Sequence, residues 1–159
     1  MSRVRHTLVL AAGAGLVAGT GVLLPAAAAP APTTSAAVTS SAVAYKTKFF
    51  HTPSGNIGCG IIKAQGRWSI RCDVKEHDWM APSGKTCTEG DYGSSLGMGG
   101  KARPRFICVS DALNNGKTLT YGKSLSYGPF YCKSKVKGLK CWNKRAHGWF
   151  LSRQTYRLF

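Results

Sequence analysis

Apolar residues near the cysteines lie two positions apart along the chain, a spacing typical of β-strands. Five of the six cysteines follow an apolar residue at this distance, as in Ile57/Cys59 and Phe106/Cys108. Residues two apart in a strand point to the same face, so these cysteines are expected to point into the core. No segment keeps a 3.6-residue apolar period over three turns. The pattern predicts an all-β domain, a small disulfide-stapled barrel or sandwich built from hairpins with little helix.

The first two cysteines flank a predicted β-hairpin. Placing Cys59 opposite Cys72 puts Gln65 and Gly66 at the centre of a two-residue turn, a common hairpin connection. A one-residue slip would exchange the mostly apolar face with the mostly polar one, so the alternation supports this register. The inner face is expected to hold Cys59, Ile61, Trp68, Ile70 and Cys72.

The last two cysteines flank a second predicted hairpin. Placing Cys132 opposite Cys141 pairs Lys133 with Lys140 and puts the turn at 135–138. Like charges directly opposite each other on two strands are mildly destabilising, and this arrangement therefore hints that an anion is held there.

An even number of cysteines in a short exported chain indicates disulfides that form in an oxidising compartment. The two hairpins leave Cys87 to pair with Cys108 across a glycine-rich segment, although sequence alone leaves other connectivities open. Each bridge would contribute about 2–4 kcal/mol, mainly by restricting the unfolded chain. If all six cysteines are paired, no thiol nucleophile is left.

Glycine-rich turns separate the remaining β segments. Asn115 and Gly116 form a strong turn signal, and the segment 97–101 is interpreted as a flexible loop because it lacks the P-loop spacing. Strands are predicted at 57–63, 68–74, 105–110, 118–122, 129–134, 139–143 and 148–152.

The N-terminal part of the chain has the layout of a secretory leader. A basic start is followed by an apolar stretch at 8–24 and a run of alanines, which predicts a cleavable signal peptide over 1–28. The alternative is a membrane anchor. Residues 29–44 are rich in Ala, Pro, Thr and Ser and predict a flexible linker, followed by a single disulfide-bonded domain at 45–159. We therefore expect a secreted, extracellular protein, either free or associated with the cell wall.

The charge of the chain is strongly basic and unevenly distributed. There are 22 basic and 6 acidic residues, and the net charge is +16. All acidic residues lie between Asp73 and Asp111, and every formally charged residue after 111 is basic. A field of one sign attracts polyanions, such as wall teichoic acids, anionic lipid headgroups, extracellular nucleic acid or acidic glycans. The alternative is that the charge only keeps a small domain soluble.

Basic residues cluster around the final hairpin, with Tyr131, Trp142 and Trp149 between them. Basic side chains beside exposed aromatic rings suit nucleic acid or glycan binding, because charge and stacking act together. No RNA- or DNA-binding signature accompanies them. The alternative is a solvated hairpin whose aromatic residues fill the core. The candidate anion-binding residues are Lys133, Lys135, Lys137, Lys140, Lys144 and Arg145.

Motifs for catalysis and metal binding are weak. Residues 93–97 fit G-x-S-x-G, and Asp111 and His147 follow in the hydrolase order, but this motif needs a turn between a strand and a helix. Asp73 and the segment 76–78 could bind a cation, yet they lack the known ligand spacings and are interpreted as a solvated turn that pairs with basic residues. We expect no catalytic residue, no metal site and no cofactor.

The stretch from Phe50 to Cys59, which reads FHTPSGNIGC, resembles the opening motif of a family of small secreted actinobacterial proteins. That family is catalogued only as a domain of unknown function. The resemblance covers roughly 49–159, and it implies secretion, three disulfides and one β-rich unit without assigning an activity. Further landmarks are Ile70-Arg71-Cys72-Asp73, Trp79, Phe106-Ile107-Cys108, Tyr121-Gly122, Gly128, Gly138-Leu139 and the ending Gly148–Arg153 with Tyr156–Phe159.

The sequence favours a secreted, monomeric, non-enzymatic domain that binds an anionic envelope polymer, a lipid surface or another extracellular partner, including nucleic acid. The first alternative is a secreted inhibitor or toxin-like effector that acts on another protein. The second is a small hydrolase. Binding to a polyanion should weaken steeply with salt, whereas an inhibitor interface built around a buried anchor residue should not.

Overall fold

The computed structural model describes residues 44–159, so the predicted leader and nearly all of the predicted linker lie outside the described residues. The described part contains eleven strands and no helix. It therefore has no helix that could cross a membrane. The strands are β1 Lys46–His51, β2 Ile57–Ala64, β3 Arg67–Val74, β4 Asp91–Gly99, β5 Arg105–Val109, β6 Lys117–Thr118, β7 Ser124–Tyr127, β8 Phe130–Lys135, β9 Gly138–Asn143, β10 Gly148–Leu151 and β11 Tyr156–Leu158.

The strands form two sheets that pack face to face. The six-stranded sheet has the order β5-β4-β3-β2-β1-β6, and the five-stranded sheet has the order β11-β10-β9-β8-β7. All pairings are antiparallel except that of β1 with β6. Each sheet keeps two edge strands, so the all-β domain is a sandwich and not a closed barrel. The shared core contains Phe50, Ile61, Phe130, Leu139, Trp149 and Leu151.

Both predicted hairpins have the predicted register. Cys59 lies opposite Cys72 in the first hairpin, and Cys132 lies opposite Cys141 in the second. The two turn residues of the first hairpin, Gln65 and its neighbouring glycine, have φ values of 48° and 75°. A type I′ turn requires positive φ at both central positions, and its twist matches that of the flanking strands.

The disulfides join Cys59 to Cys72, Cys87 to Cys108 and Cys132 to Cys141, the same pairs that the hairpin registers indicate. The first and third bridges are fully buried and come from facing sheets. The sulfur atoms of Cys59, Cys72 and Cys141 all lie within 4.8 Å of one another. The two bridges therefore pack against each other at the centre of the sandwich.

The prediction that Cys108 points into the core is wrong, because this residue is exposed. Strands β4 and β5 change register between Tyr92 and Leu96, and Phe106 opposite Leu96 is still buried. The irregularity carries the end of β5 away from the core. The bridge therefore joins Cys87, in the connection between β3 and β4, to an exposed position near the end of the edge strand β5.

The glycine-rich segment is mostly strand, so the prediction of a flexible loop at 97–101 is wrong for its first three residues. They end β4, an internal strand of the six-stranded sheet. Leu96 and Met98 are buried in the core, and Gly97 lies on the opposite face. A Cβ on Gly97 would lie 3.0 Å from the Ile107 side chain, which uses that space.

The predicted strand at 118–122 is also wrong beyond Thr118, because Tyr121 begins a turn before β7.

Candidate functional site

The strands β8 to β11 turn alternate residues away from the core. Register places Lys133 opposite Lys140, Lys140 opposite Phe150, and Phe150 opposite Arg157. Phe159 continues this surface, since its backbone exchanges two hydrogen bonds with Gly148. We call the outward set the basic aromatic face, and it consists of Tyr131, Lys133, Lys135, Lys140, Trp142, Phe150, Arg157 and Phe159.

Aromatic rings lie along this face because two glycines leave room for them. Tyr131 and Trp142 stack with ring centroids 6.0 Å apart and planes tilted by 21°. A Cβ on Gly138 would lie 2.7 Å from the ring of Phe150. A Cβ on Gly148 would lie 2.8 Å from the Cβ of Trp142. All three rings are half-buried, so each keeps exposed surface on which a sugar ring or a base could stack.

The two opposed lysines have different surroundings. The ammonium group of Lys140 lies 5.4 Å from the ring centroid of Trp142 and 4.7 Å from that of Phe159. Such cation–π contacts stabilise by about 0.5–1 kcal/mol at exposed sites. The stabilisation of Lys140 by the two rings offsets the electrostatic repulsion from Lys133, which lies directly opposite. Lys133 is exposed and has no comparable contact among residues 44–159.

No acidic side chain of the described part of the chain forms an ion pair with the basic aromatic face. The ion pairs there all involve Arg71 or Arg153, and neither arginine belongs to the face. All six acidic residues lie on the six-stranded sheet or in its connections. The positive potential of the face is therefore left for a ligand or for solvent ions.

The predicted solvated turn is only partly solvated. Glu76 and Asp78 are exposed and pair with Arg153 at 3.2 and 3.5 Å, as expected for a turn that meets basic residues. Asp73 is different, because it is 3% exposed and accepts two hydrogen bonds of 2.8 Å from Arg71. The predicted solvation is thus wrong for Asp73. The acidic side chains do not converge on a common point, because Asp73 pairs with Arg71 while Glu76 and Asp78 pair with Arg153.

Asp73 has a structural role on the outer side of the six-stranded sheet. It also accepts a 2.7 Å hydrogen bond from the backbone of Leu113, and Arg71 contacts Asp111 in the same connection. Burial lowers the pKa of Arg71, but hydrogen bonds and charge attraction from Asp73 and Asp111 outweigh burial and raise it above its usual value. The connection between β5 and β6 packs onto Gly58, where a Cβ would overlap Leu113.

The structure divides the predicted anion-binding residues into three places. Lys133 and Lys140 lie in the middle of the basic aromatic face. A cleft of about 510 Å³ at one end of the sandwich is lined by Lys137, by Lys75 and Arg153, and by Lys135, which also forms the end of the basic aromatic face. Lys144 and Arg145 line a separate pocket between other connections, and they are not part of this cleft.

One aromatic residue predicted to lie on the surface of the last hairpin is buried instead. Trp149 is 0% exposed and fills the core, so it cannot contact a ligand on the face. Phe150 and Phe159 take its place, and neither was predicted. The orientation of Phe150 follows from the pairing of β10 with β9. Leu151 lies opposite the buried Leu139 and faces the core, so its neighbour Phe150 faces outward.

The hydrolase motif does not form a catalytic arrangement. Ser95 is completely buried on β4 opposite Asp73, in an extended strand and not on a strand–helix turn. Asp111 is engaged by Arg71. His147 lies in the connection between β9 and β10 of the other sheet, with its backbone nitrogen bonded to Asn143. The three residues thus belong to separate elements, and the serine has no exposed surface.

Comparison with known proteins gives a family and no function. No curated protein and no solved structure matches the chain significantly. A family model described as a family of unknown function (DUF6636) matches residues 32–159, which include both sheets and all three disulfides. Because the match covers most of the chain, this protein belongs to the family of unknown function DUF6636.

Proposed function

We propose that the protein is a secreted, non-enzymatic, monomeric domain that binds an anionic polymer of the cell envelope through the basic aromatic face. One observation carries this proposal. Lys133 and Lys140 lie side by side with the stacked rings of Tyr131 and Trp142, on a sheet face with which no acidic side chain of 44–159 forms an ion pair.

The shape of the face favours an extended ligand. Its residues lie across the outside of β8 to β11 and do not enclose a cavity, so contacts are spread along the sheet. A polymer with regularly spaced anionic groups can meet Lys133, Lys140 and Arg157 in turn. If it also carries sugar rings, these can stack on Tyr131 and Trp142, as bases do in proteins that bind single strands.

The proposed location rests on the disulfides and on the leader. Three disulfides are typical of proteins that work in oxidising surroundings outside the cytosol. The basic and apolar layout of residues 1–28 supports export. Teichoic acids are polyphosphodiesters that often carry sugars, and they meet both requirements of the face.

A titration at two salt concentrations tests the proposal. The purified protein is titrated with a glycosylated glycerol phosphate polymer at about 20 and 150 mM salt, and we expect the affinity to fall at least tenfold. Lys133→Ala should weaken binding several-fold at low salt and less at high salt. Lys46→Ala removes the same charge from the exposed start of β1 and serves as the matched control. Equal affinities of the two variants, or binding that salt does not affect, would contradict the proposal.

The rings are tested separately from the charges. Trp142→Leu should weaken binding of the glycosylated polymer by about tenfold, because stacking on one ring contributes about 1–3 kcal/mol. The same variant should bind linear inorganic polyphosphate almost as well as the unchanged protein does, since that polymer carries no ring. Equal losses for both polymers would show that Trp142 supports the face and does not contact the ligand.

A further inference from the structure

An apolar pocket with a basic rim lies at the other end of the sandwich from the cleft. Strand β2 starts at Ile57, which lines the cleft, and its hairpin turn leads to Gly66, which lines the pocket. The pocket has a volume of about 550 Å³, within the usual range of about 300–1000 Å³ for small-molecule sites. Its apolar wall is formed by Trp68, Gly99, Gly100, Ala102 and Pro129.

The Trp68 wall is held in place by neighbouring residues. The ring packs on Gly128, where a Cβ would lie 2.6 Å from it, and meets Tyr127 edge-on at a centroid distance of 5.4 Å. A Cβ on Gly100 would lie 3.0 Å from Pro129 and 3.4 Å from the Cβ of Trp68. The glycine therefore keeps open the space between the two apolar side chains.

A single buried side chain joins the two sheets at this pocket. Asn143 is 1% exposed, and its amide nitrogen donates to the carbonyl oxygens of Ala102 at 2.9 Å and Gly99 at 3.3 Å. Its amide oxygen accepts from the backbone nitrogens of Arg145 at 3.0 Å and His147 at 3.2 Å. These bonds fix the turn that carries the basic rim against the strand end that forms the apolar wall.

The rim consists of cations without anionic neighbours. The rim residues are all exposed, none of them has an ion-pair partner among residues 44–159, and no carboxylate lines the pocket. Lys144 and Arg145 follow Asn143 in a tight turn closed by a 2.9 Å hydrogen bond from Ala146. The rim residues are Arg67, Lys101, Lys144 and Arg145.

The combination selects a ligand with two unlike parts. Binding of a hydrocarbon chain to the apolar wall is favourable because it removes apolar surface from water. A uniformly charged polymer has no apolar surface to bury there. Four unpaired cations favour a carboxylate or phosphate at the entrance. We propose that this pocket binds a single-chain anionic amphiphile, an acyl chain with a carboxylate head, with the chain against Trp68 and Pro129 and the head at Lys144 and Arg145. This activity is separate from polymer binding on the basic aromatic face.

Isothermal titration calorimetry of the full chain with dodecanoate, below its micelle concentration, tests the proposal. Dodecanoate should bind at one site, whereas dodecanol, with the same chain and no charge, should bind at least tenfold more weakly. Acetate, with the head and no chain, should show no measurable binding. Equal binding of dodecanoate and dodecanol, or binding only to anionic vesicles and not to dodecanoate monomers, would overturn it.

Variants locate the site. Changing Lys144 and Arg145 together to alanine should weaken dodecanoate at least tenfold, while leaving the melting temperature within a few degrees, because both side chains are exposed. Changing Lys46 and Lys48 together to alanine removes two exposed positive charges from β1, away from the pocket; this control variant should bind dodecanoate normally. Ala102→Leu should fill the pocket and weaken both dodecanoate and dodecanol. Unchanged dodecanoate affinity in the double variant would place the amphiphile elsewhere.

Discussion

Replacing Asn143 by alanine should loosen the end of the sandwich at which the apolar pocket opens. The side chain is buried and makes four hydrogen bonds. Two go to carbonyl oxygens at the end of β4 and just after it, and two come from backbone nitrogens in the connection between β9 and β10. Alanine cannot form any of them. Two carbonyl oxygens would lose a donor, and two backbone N–H groups would lose their acceptor.

The expected loss of stability is large for one residue. A fully buried polar group left without a partner costs about 1–3 kcal/mol. The partners of Asn143 lie in connections that water can partly reach, so the four losses will not add in full. We expect a decrease in the free energy of unfolding of about 3 kcal/mol, which lowers the melting temperature of a domain of this size by roughly 12 °C.

Denaturant unfolding followed by circular dichroism measures this change. Asn114→Ala is the matched control, because Asn114 is exposed and its side chain forms no hydrogen bond within the described part, and it should change stability by less than about 0.5 kcal/mol. A loss below about 1 kcal/mol for Asn143→Ala would refute the reasoning, since it would mean that the bonds do not join the sheets.

Asn143→Asp adds a pH-dependent check. The introduced carboxylate would keep the two acceptor bonds but would face the carbonyl oxygens of Gly99 and Ala102. Burial and these oxygens would raise the pKa of the introduced carboxyl in the folded state. Linkage then makes this variant lose stability, relative to the unchanged protein, as pH rises through that raised pKa. A difference in stability that stays constant between pH 4 and 8 would contradict this.

Three further changes have defined outcomes. Gln65→Asn should stabilise the protein by a few tenths to about 1 kcal/mol in thermal unfolding, because asparagine suits the positive φ of a type I′ turn; destabilisation would contradict that turn. Lys140→Ala should cost a few tenths of a kcal/mol, because it loses cation–π contacts of about 0.5–1 kcal/mol but also relieves the repulsion from Lys133. Lys133→Ala relieves the same repulsion without losing a contact and should stabilise slightly; equal effects of the two substitutions would contradict this. The bridge between Cys87 and Cys108 should react first with a mild thiol reductant, as alkylation and mass spectrometry would show, because the other two bridges are fully buried; simultaneous reduction of all three would not fit.

The hairpins could be predicted because their signals are local. In the first hairpin, the turn residues, the facing cysteines and the apolar alternation all indicate one register, and Gln65 with its neighbouring glycine supplies the turn. Pairing Cys132 with Cys141 likewise follows from the spacing around a short turn. Once two bridges are placed, the third pair is fixed by elimination.

Strands β1 and β4 could not be predicted from their own residues. In β1 only Phe50 is buried, so no alternation marks it. In β4 three glycines hide the two core residues Leu96 and Met98. Strand β1 forms because it pairs with β2, and β4 because it pairs with β3. Pairing with another strand cannot be recognised from the hydrophobic pattern of the strand itself.

The sequence identified most of the basic residues of the candidate site, but it did not show which of them lie together on one surface. The lysines of the last hairpin were found because the hairpin register was found. Trp149 and Phe150 are neighbours in a run without alternation, so only the pairing of β10 with β9 decides which of them faces outward. The division of the basic residues between the face, the cleft and the pocket likewise depends on how the two sheets meet.

Backbone amide chemical shifts of the isotope-labelled protein would locate the bound polymer residue by residue. During titration with the glycosylated glycerol phosphate polymer at low salt, the largest shifts should fall on β8, β9 and β10, around Lys133, Lys140 and Trp142. Added salt should reverse them. Shifts confined to the six-stranded sheet, or no shifts at ligand concentrations that saturate binding of other polyanions, would contradict a polymer site on the basic aromatic face.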